Sequence, residues 1–128
     1  MDSKKENLEF HAKGLISKFP DSECTITKDV LTWRGKLTPD YFSRAYDIEI
    51  VYKAFTRPII RVSLIGMEIP VQKNEIHMYD DHDSSLCLFD NEKKEWKPNM
   101  ALAKSIVPWT CEWLYFYEIW LITRRWLG

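Results

Sequence analysis

From Tyr46 to Lys53 the chain alternates with a period of two: Tyr46, Ile48, Ile50 and Tyr52 are interleaved with Asp47, Glu49, Val51 and Lys53. Successive strand side chains point to opposite faces, so this pattern marks a strand with one buried face and one mostly wet face. The flanking segments supply its neighbours. Residues 23–37 read as a hairpin, with Cys24-Thr-Ile-Thr and Val30 to Leu37 joined through Lys28-Asp29. Beyond a turn at Thr56-Arg57-Pro58, the run Ile59-Ile-Arg-Val-Ser-Leu64 gives a fourth strand. The expectation is a meander of four antiparallel strands.

Helices bracket that meander. Leu8, Ala12, Leu15, Ile16 and Phe19 recur at helical spacing until Pro20-Asp21, which predicts a first helix over residues 5–18. Residues 66–95 show little periodicity and are rich in Asp, Asn, Lys and Glu; so long a loop in a compact domain is usually functional or disordered. Asn99 is placed to cap a short helix from Met100 to Val107, and Pro108 suits the first turn of a last helix ending near Gly128. With 128 residues and no repeat, low-complexity tract or linker, residues 1–128 read as one α+β domain, large enough to bury a core.

Charge and cysteine usage narrow the function classes. The formal net charge is −1, from 18 basic and 19 acidic residues, and no half is strongly basic, which argues against a nucleic-acid partner. Pro108 to Ile122 is apolar, but it falls short of the roughly 20 residues of a helical span and carries Glu112 and Glu118. Cys24, Cys87 and Cys111 are odd in number and lack pairwise or zinc-type spacing. The N-terminus lacks an apolar signal core, so a reduced cytoplasm is the expected compartment. No cofactor is expected, and the chain has no nucleotide-binding glycine loop.

The chemistry concentrates in one stretch. His77 stands ten residues before Cys87, which lies in Leu86-Cys87-Leu88, and Trp96-Lys-Pro98 follows nine residues on. A cysteine on a long loop can present a thiolate, the nucleophilic form, to an incoming group. Leu86 and Leu88 would anchor the loop while Cys87 stays exposed; a buried core cysteine is the alternative, since Leu-Cys-Leu-Phe also suits an inner strand. His82, five residues before Cys87, is either a general base near neutral pH or a solvent-exposed histidine. Asp80, Asp81, Asp83 and Asp90 either disfavour the Cys87 thiolate or simply solvate the loop. A metal site from His77, Asp80, His82 and Asp83 is a weak rival, because no second ligand pair supports it.

The order of elements, together with His77, Cys87, Trp96 and Pro98, resembles the ubiquitin-conjugating-enzyme family. Trp33-Arg-Gly-Lys-Leu-Thr-Pro39 is similar to the family's second strand and its turn, and Tyr46 to Val62 to its third strand, connecting turn and fourth strand, although a single Pro58 stands where the family has Tyr-Pro and Pro-Pro pairs. The resemblance implies that Cys87 is the catalytic cysteine and that His77 organises the loop through hydrogen bonds. It also implies that Trp96 and Pro98 open the helix behind the site. Tyr79 stands where the family has an asparagine credited with steadying the loop or the oxyanion; either its hydroxyl or a donor such as Asn91 would substitute.

More narrowly, Trp96-Lys-Pro98 and the aromatic run from Ile106 to Trp120 resemble the stand-alone conjugating-enzyme-like proteins of bacterial CBASS antiphage operons. That resemblance implies a protein partner, a cGAS/DncV-like nucleotidyltransferase whose C-terminus is the acyl donor, with or without a separate activating enzyme. Two other classes compete. One is a catalytically silent binding module of the same fold; the other is a redox-sensing thiol protein, which a Cys87 pKa near that of free cysteine would remove. Trp109, Trp113, Phe116, Tyr117 and Trp120 form a helical stripe that packs on the sheet. Leu114, Tyr115, Ile119 and Leu121 leave little polar face, so part of the helix is expected to meet another chain or a second copy. Cys111 is expected in the core, Cys24 carries no supporting context, and Arg124 and Arg125 suit the helix C-terminus.

Overall fold

The predicted alternation becomes the centre of a sheet. A computed structural model describes residues 3–80, 84–89 and 96–128. Helix α1 (Ser3–Lys18) precedes strands β1 (Glu23–Thr27), β2 (Val30–Leu37), β3 (Tyr46–Lys53) and β4 (Ile59–Val62), and α2 (Ile106–Thr123) follows. The strands pair antiparallel in the order β1-β2-β3-β4. Tyr46, Ile48, Ile50 and Tyr52 of β3 are buried with Leu31, Trp33 and Leu37 of β2 and Ile60 and Val62 of β4. The opposite face carries charge: Arg34 and Arg61 both pair with Glu49, and Lys36 pairs with Asp47.

Helix α1 turns Leu8, His11 and Leu15 inward, whereas Ile16, assigned by spacing to the apolar face, stays 38% exposed. His11 takes the inward place. Its Nδ1 accepts the Leu102 N–H (3.2 Å) and its Nε2 meets the Pro98 carbonyl (2.9 Å), which fixes a neutral ring with the proton on Nε2. Burial accordingly pulls its pKa below the ordinary 6.5, against the opposing pull of the Pro98 hydrogen bond.

A depressed histidine pKa favours the fold above pH 6.5. As the pH falls through that value the unfolded chain takes up a proton that the folded chain refuses. The urea midpoint is therefore expected to fall between pH 8 and pH 5.5, and to fall less in His11→Gln. An equal decline in both proteins would take His11 out of that account.

Two elements differ from their predictions. The expected helix from Met100 to Val107 is a 3-10 turn at Leu102–Lys104 followed directly by α2, and Asn99 is exposed and caps neither. Ser105 heads α2 without capping it, because its hydroxyl donates back to the Ala101 carbonyl (2.8 Å) and accepts from Trp96 Nε1 (3.0 Å). The last helix stops at Thr123 rather than near Gly128. Arg124 adopts the left-handed conformation (φ 60°), its N–H returning to the Trp120 carbonyl at 2.8 Å. Its guanidinium grips both Glu68 carboxylate oxygens (2.9 and 2.8 Å) and lies over the Trp120 ring, contacts that offset an unfavourable backbone for a non-glycine residue. Arg124 thus does more than face a helix end.

Candidate active site

The loop carrying the cysteine is built on a short turn. The 3-10 segment Lys73–Ile76 buries Ile76 and ends at His77, whose left-handed backbone (φ 51°, ψ 50°) reverses the chain. Met78 then pairs antiparallel with Leu86, both buried. The Cys87 N–H donates to the His77 carbonyl and the Tyr79 N–H to the Ser85 carbonyl, each at 2.8 Å. This register sets His77 directly across from Cys87 and Tyr79 across from Ser85. The Leu86 N–H donates to the Ile60 carbonyl at 2.8 Å, so the loop is laid against the edge strand β4. Leu86 anchors; Leu88 is half-buried.

Helix α2 fixes this small ladder from beneath. Trp113, buried, donates its indole N–H to the Ile76 carbonyl (2.7 Å) and the His77 carbonyl (3.1 Å). The Cys87 thiol is half-buried and donates to the Phe89 carbonyl at 3.9 Å. It lines a groove of about 320 Å³ together with His77, Trp109, Trp113, Phe116 and Trp126. The His77 ring packs against Trp126 with centroids 5.3 Å apart; the residue stays exposed, and its partial desolvation lowers its pKa, favouring the neutral imidazole. His77 therefore serves the loop chiefly through its backbone carbonyl, which takes both the Cys87 and Trp113 donors.

Tyr79 has a partner that the sequence did not signal. Arg57 Nη2 donates to the Tyr79 hydroxyl, and its guanidinium lies over the Tyr79 ring (4.9 Å) and the Phe89 ring (5.0 Å). These three residues line a second cavity of about 390 Å³ with Ser85 and Leu86. Arg57 read only as the middle of a turn, because no motif marks a residue that arrives through a strand connection. Among the acids, Asp80 is exposed and lies 3.8 Å from Lys73 Nζ, which also donates to Ser84 Oγ at 2.8 Å. His82, Asp81, Asp83, Asp90 and Asn91 lie outside the described residues.

The Trp-x-Pro element is a tie between helix and loop. Trp96 packs on Tyr52 and His11 with centroids 5.3 and 5.7 Å away. The Pro98 carbonyl meets His11 and accepts from Asn7 Nδ2 at 3.0 Å. Cys24 and Cys111 are only half-buried rather than fully enclosed, and burial pushes both thiols above the ordinary cysteine value. Neither is a ready nucleophile. No cluster of three or more metal-ligating side chains occurs among the described residues, and no described helix is long and apolar enough to cross a membrane.

A helix, a four-stranded meander, and a cysteine loop laid between the sheet edge and a C-terminal helix match the expected fold. A search of curated proteins gives no significant match. The family model described as "Type II CBASS E2 protein" matches residues 11–128, which takes in the sheet, the cysteine loop and α2. The chain belongs to the type II CBASS E2 family.

Proposed function

We propose that the protein is an acyl carrier in which Cys87 takes the C-terminal carboxyl of a protein partner as a thioester. The carrying observation is that Cys87 sits half-buried at a groove, across a two-stranded ladder from His77, and is tied to its carbonyl. In the loading step the thiol loses its proton and Sγ attacks the activated carbonyl carbon. A C–S bond replaces the bond to the leaving group, which departs with its electron pair. In transfer an amine attacks the thioester carbonyl, a C–N bond forms, and Sγ leaves with the pair and takes up a proton. Activation comes from outside, because the chain has no nucleotide-binding glycine loop.

Within this reading His77 and Trp113 hold the loop, and His82 is the candidate base. Tyr79 with Arg57 takes the place of the family's asparagine. A tyrosine hydroxyl that accepts from a guanidinium keeps its own proton available for a developing oxyanion. The partner that best fits the family is a cGAS/DncV-like nucleotidyltransferase, its C-terminus the donor.

Co-expression with the nucleotidyltransferase of the same operon tests this. Non-reducing gels and intact mass should show a thiol-sensitive adduct in the wild type, none in Cys87→Ser, and a thiol-resistant amide in Cys87→Lys. A silent binding module of the same fold is the second reading, favoured by Tyr79 standing in for asparagine. That reading wins if no adduct forms while all three proteins bind the partner, and if Cys87→Ser keeps the biological effect.

A further inference from the structure

The groove at Cys87 is built almost wholly of rings. Trp109 packs on Phe89 (5.9 Å), Trp113 on Trp126 (5.5 Å) and Phe116 on Trp126 (6.0 Å), and Leu88 completes the apolar wall. At about 320 Å³ it lies at the small end of ligand clefts, a size suited to one or two side chains and not to a folded surface. Glu112 is exposed beside the groove, which sets negative charge at its rim. Trp126 adds one polar feature: its indole nitrogen is buried and has no acceptor among the described residues. A buried N–H without an acceptor is costly, so this atom has hydrogen-bonding capacity to spare.

Resting on the thioester reading of Cys87, the occupant follows from connectivity. A donor held through its terminal carbonyl on Sγ must thread its last residues past whatever lines the cysteine. We propose that this groove selects donor tails with a bulky apolar side chain, aromatic or branched aliphatic, within the three residues before the terminal one. Trp126 and Phe116 are the specificity-determining residues. A serine there leaves the rings uncovered, and an aspartate meets both an apolar wall and the Glu112 carboxylate.

Short peptide thioesters make the probe, since they carry their own activation and deliver the acyl group to Cys87 by exchange, releasing the small thiol. Each peptide ends in glycine and carries Phe, Leu, Ser or Asp in turn at each of the three preceding positions. Loading of the full chain is followed by intact mass, with Cys87→Ser as blank. At one position or more, Phe and Leu should load at least about tenfold faster than Ser or Asp, the scale on which hydrophobic pockets discriminate. Phe116→Ala and Trp126→Ala should lose that preference, the Phe-to-Ser and Leu-to-Ser ratios of loading rate falling towards one. Equal loading of all peptides by the wild type overturns the selectivity and leaves the carrier intact. Failure of every peptide to load, with Cys87 still alkylated by iodoacetamide, overturns the carrier reading itself.

Discussion

Trp113→Ala is expected to cost the fold about 3–5 kcal/mol, the usual range for emptying a buried tryptophan site. The residue is buried, stacks on Tyr117 with rings 4° from parallel, and packs on Trp126. Its indole N–H also serves two carbonyls of the loop, those of Ile76 and His77. Trp113→Phe separates the two contributions. It keeps most of the ring and removes the donor, so the stability loss should be only about 1–2 kcal/mol. Cys87 loading should nevertheless fall about tenfold or more, because the His77 carbonyl that receives the Cys87 N–H loses its second anchor, and misplacement by about 1 Å is costly in rate. Urea unfolding and acyl loading measure the pair. Wild-type loading by a folded Trp113→Phe protein would show that the clamp is structural only.

Gly35→Ala is expected to destabilise the protein by about 2–4 kcal/mol, although alanine in a strand would otherwise be the better residue. A Cβ built at Gly35 lies 2.4 Å from Trp33 Cζ2 and 2.6 Å from Cη2, because the Trp33 indole lies across that glycine. The ring has nowhere to go. It is fully buried and its Nε1 donates to the half-buried Ser22 Oγ at 2.8 Å, so a shift of the ring also strains that hydrogen bond. In a Trp33→Leu background the same glycine substitution should cost almost nothing. The double-mutant cycle reads the difference directly, and additive losses would remove the ring clash as the cause.

Much of the fold was legible because its signals are local. The alternation at Tyr46 to Lys53 and the Lys28-Asp29 turn placed three strands to within a residue. The fourth strand ended two residues early, at Val62, and α1 began two residues early, at Ser3. Boundaries near the C-terminus went astray for a physical reason. Ser105 and Asn99 both carry capping chemistry, but Ser105 spends its hydroxyl on Ala101 and Trp96, and Asn99 faces solvent. Likewise nothing in Thr123-Arg124-Arg125 announces a helix end; the stop depends on Glu68, distant in sequence, to hold an arginine in a left-handed turn.

The strand pattern, the long loop, the family and the positions of His77, Tyr79, Cys87, Trp96 and Pro98 could all be read from residue order, since these are spacings along one chain. What surrounds them came from the packing of distant segments. The C-terminal aromatic stripe, read as a packing face that also meets another chain, divides: Tyr117 and Trp120 go to the core, Trp109 and Phe116 wall the Cys87 groove, and the buried Trp113 serves both. Arg57 reached Tyr79 through a strand connection, and Trp126 reached His77 through a reversal after α2. Such contacts join residues tens of positions apart, and periodicity reports which face a residue occupies but never which distant residue it meets.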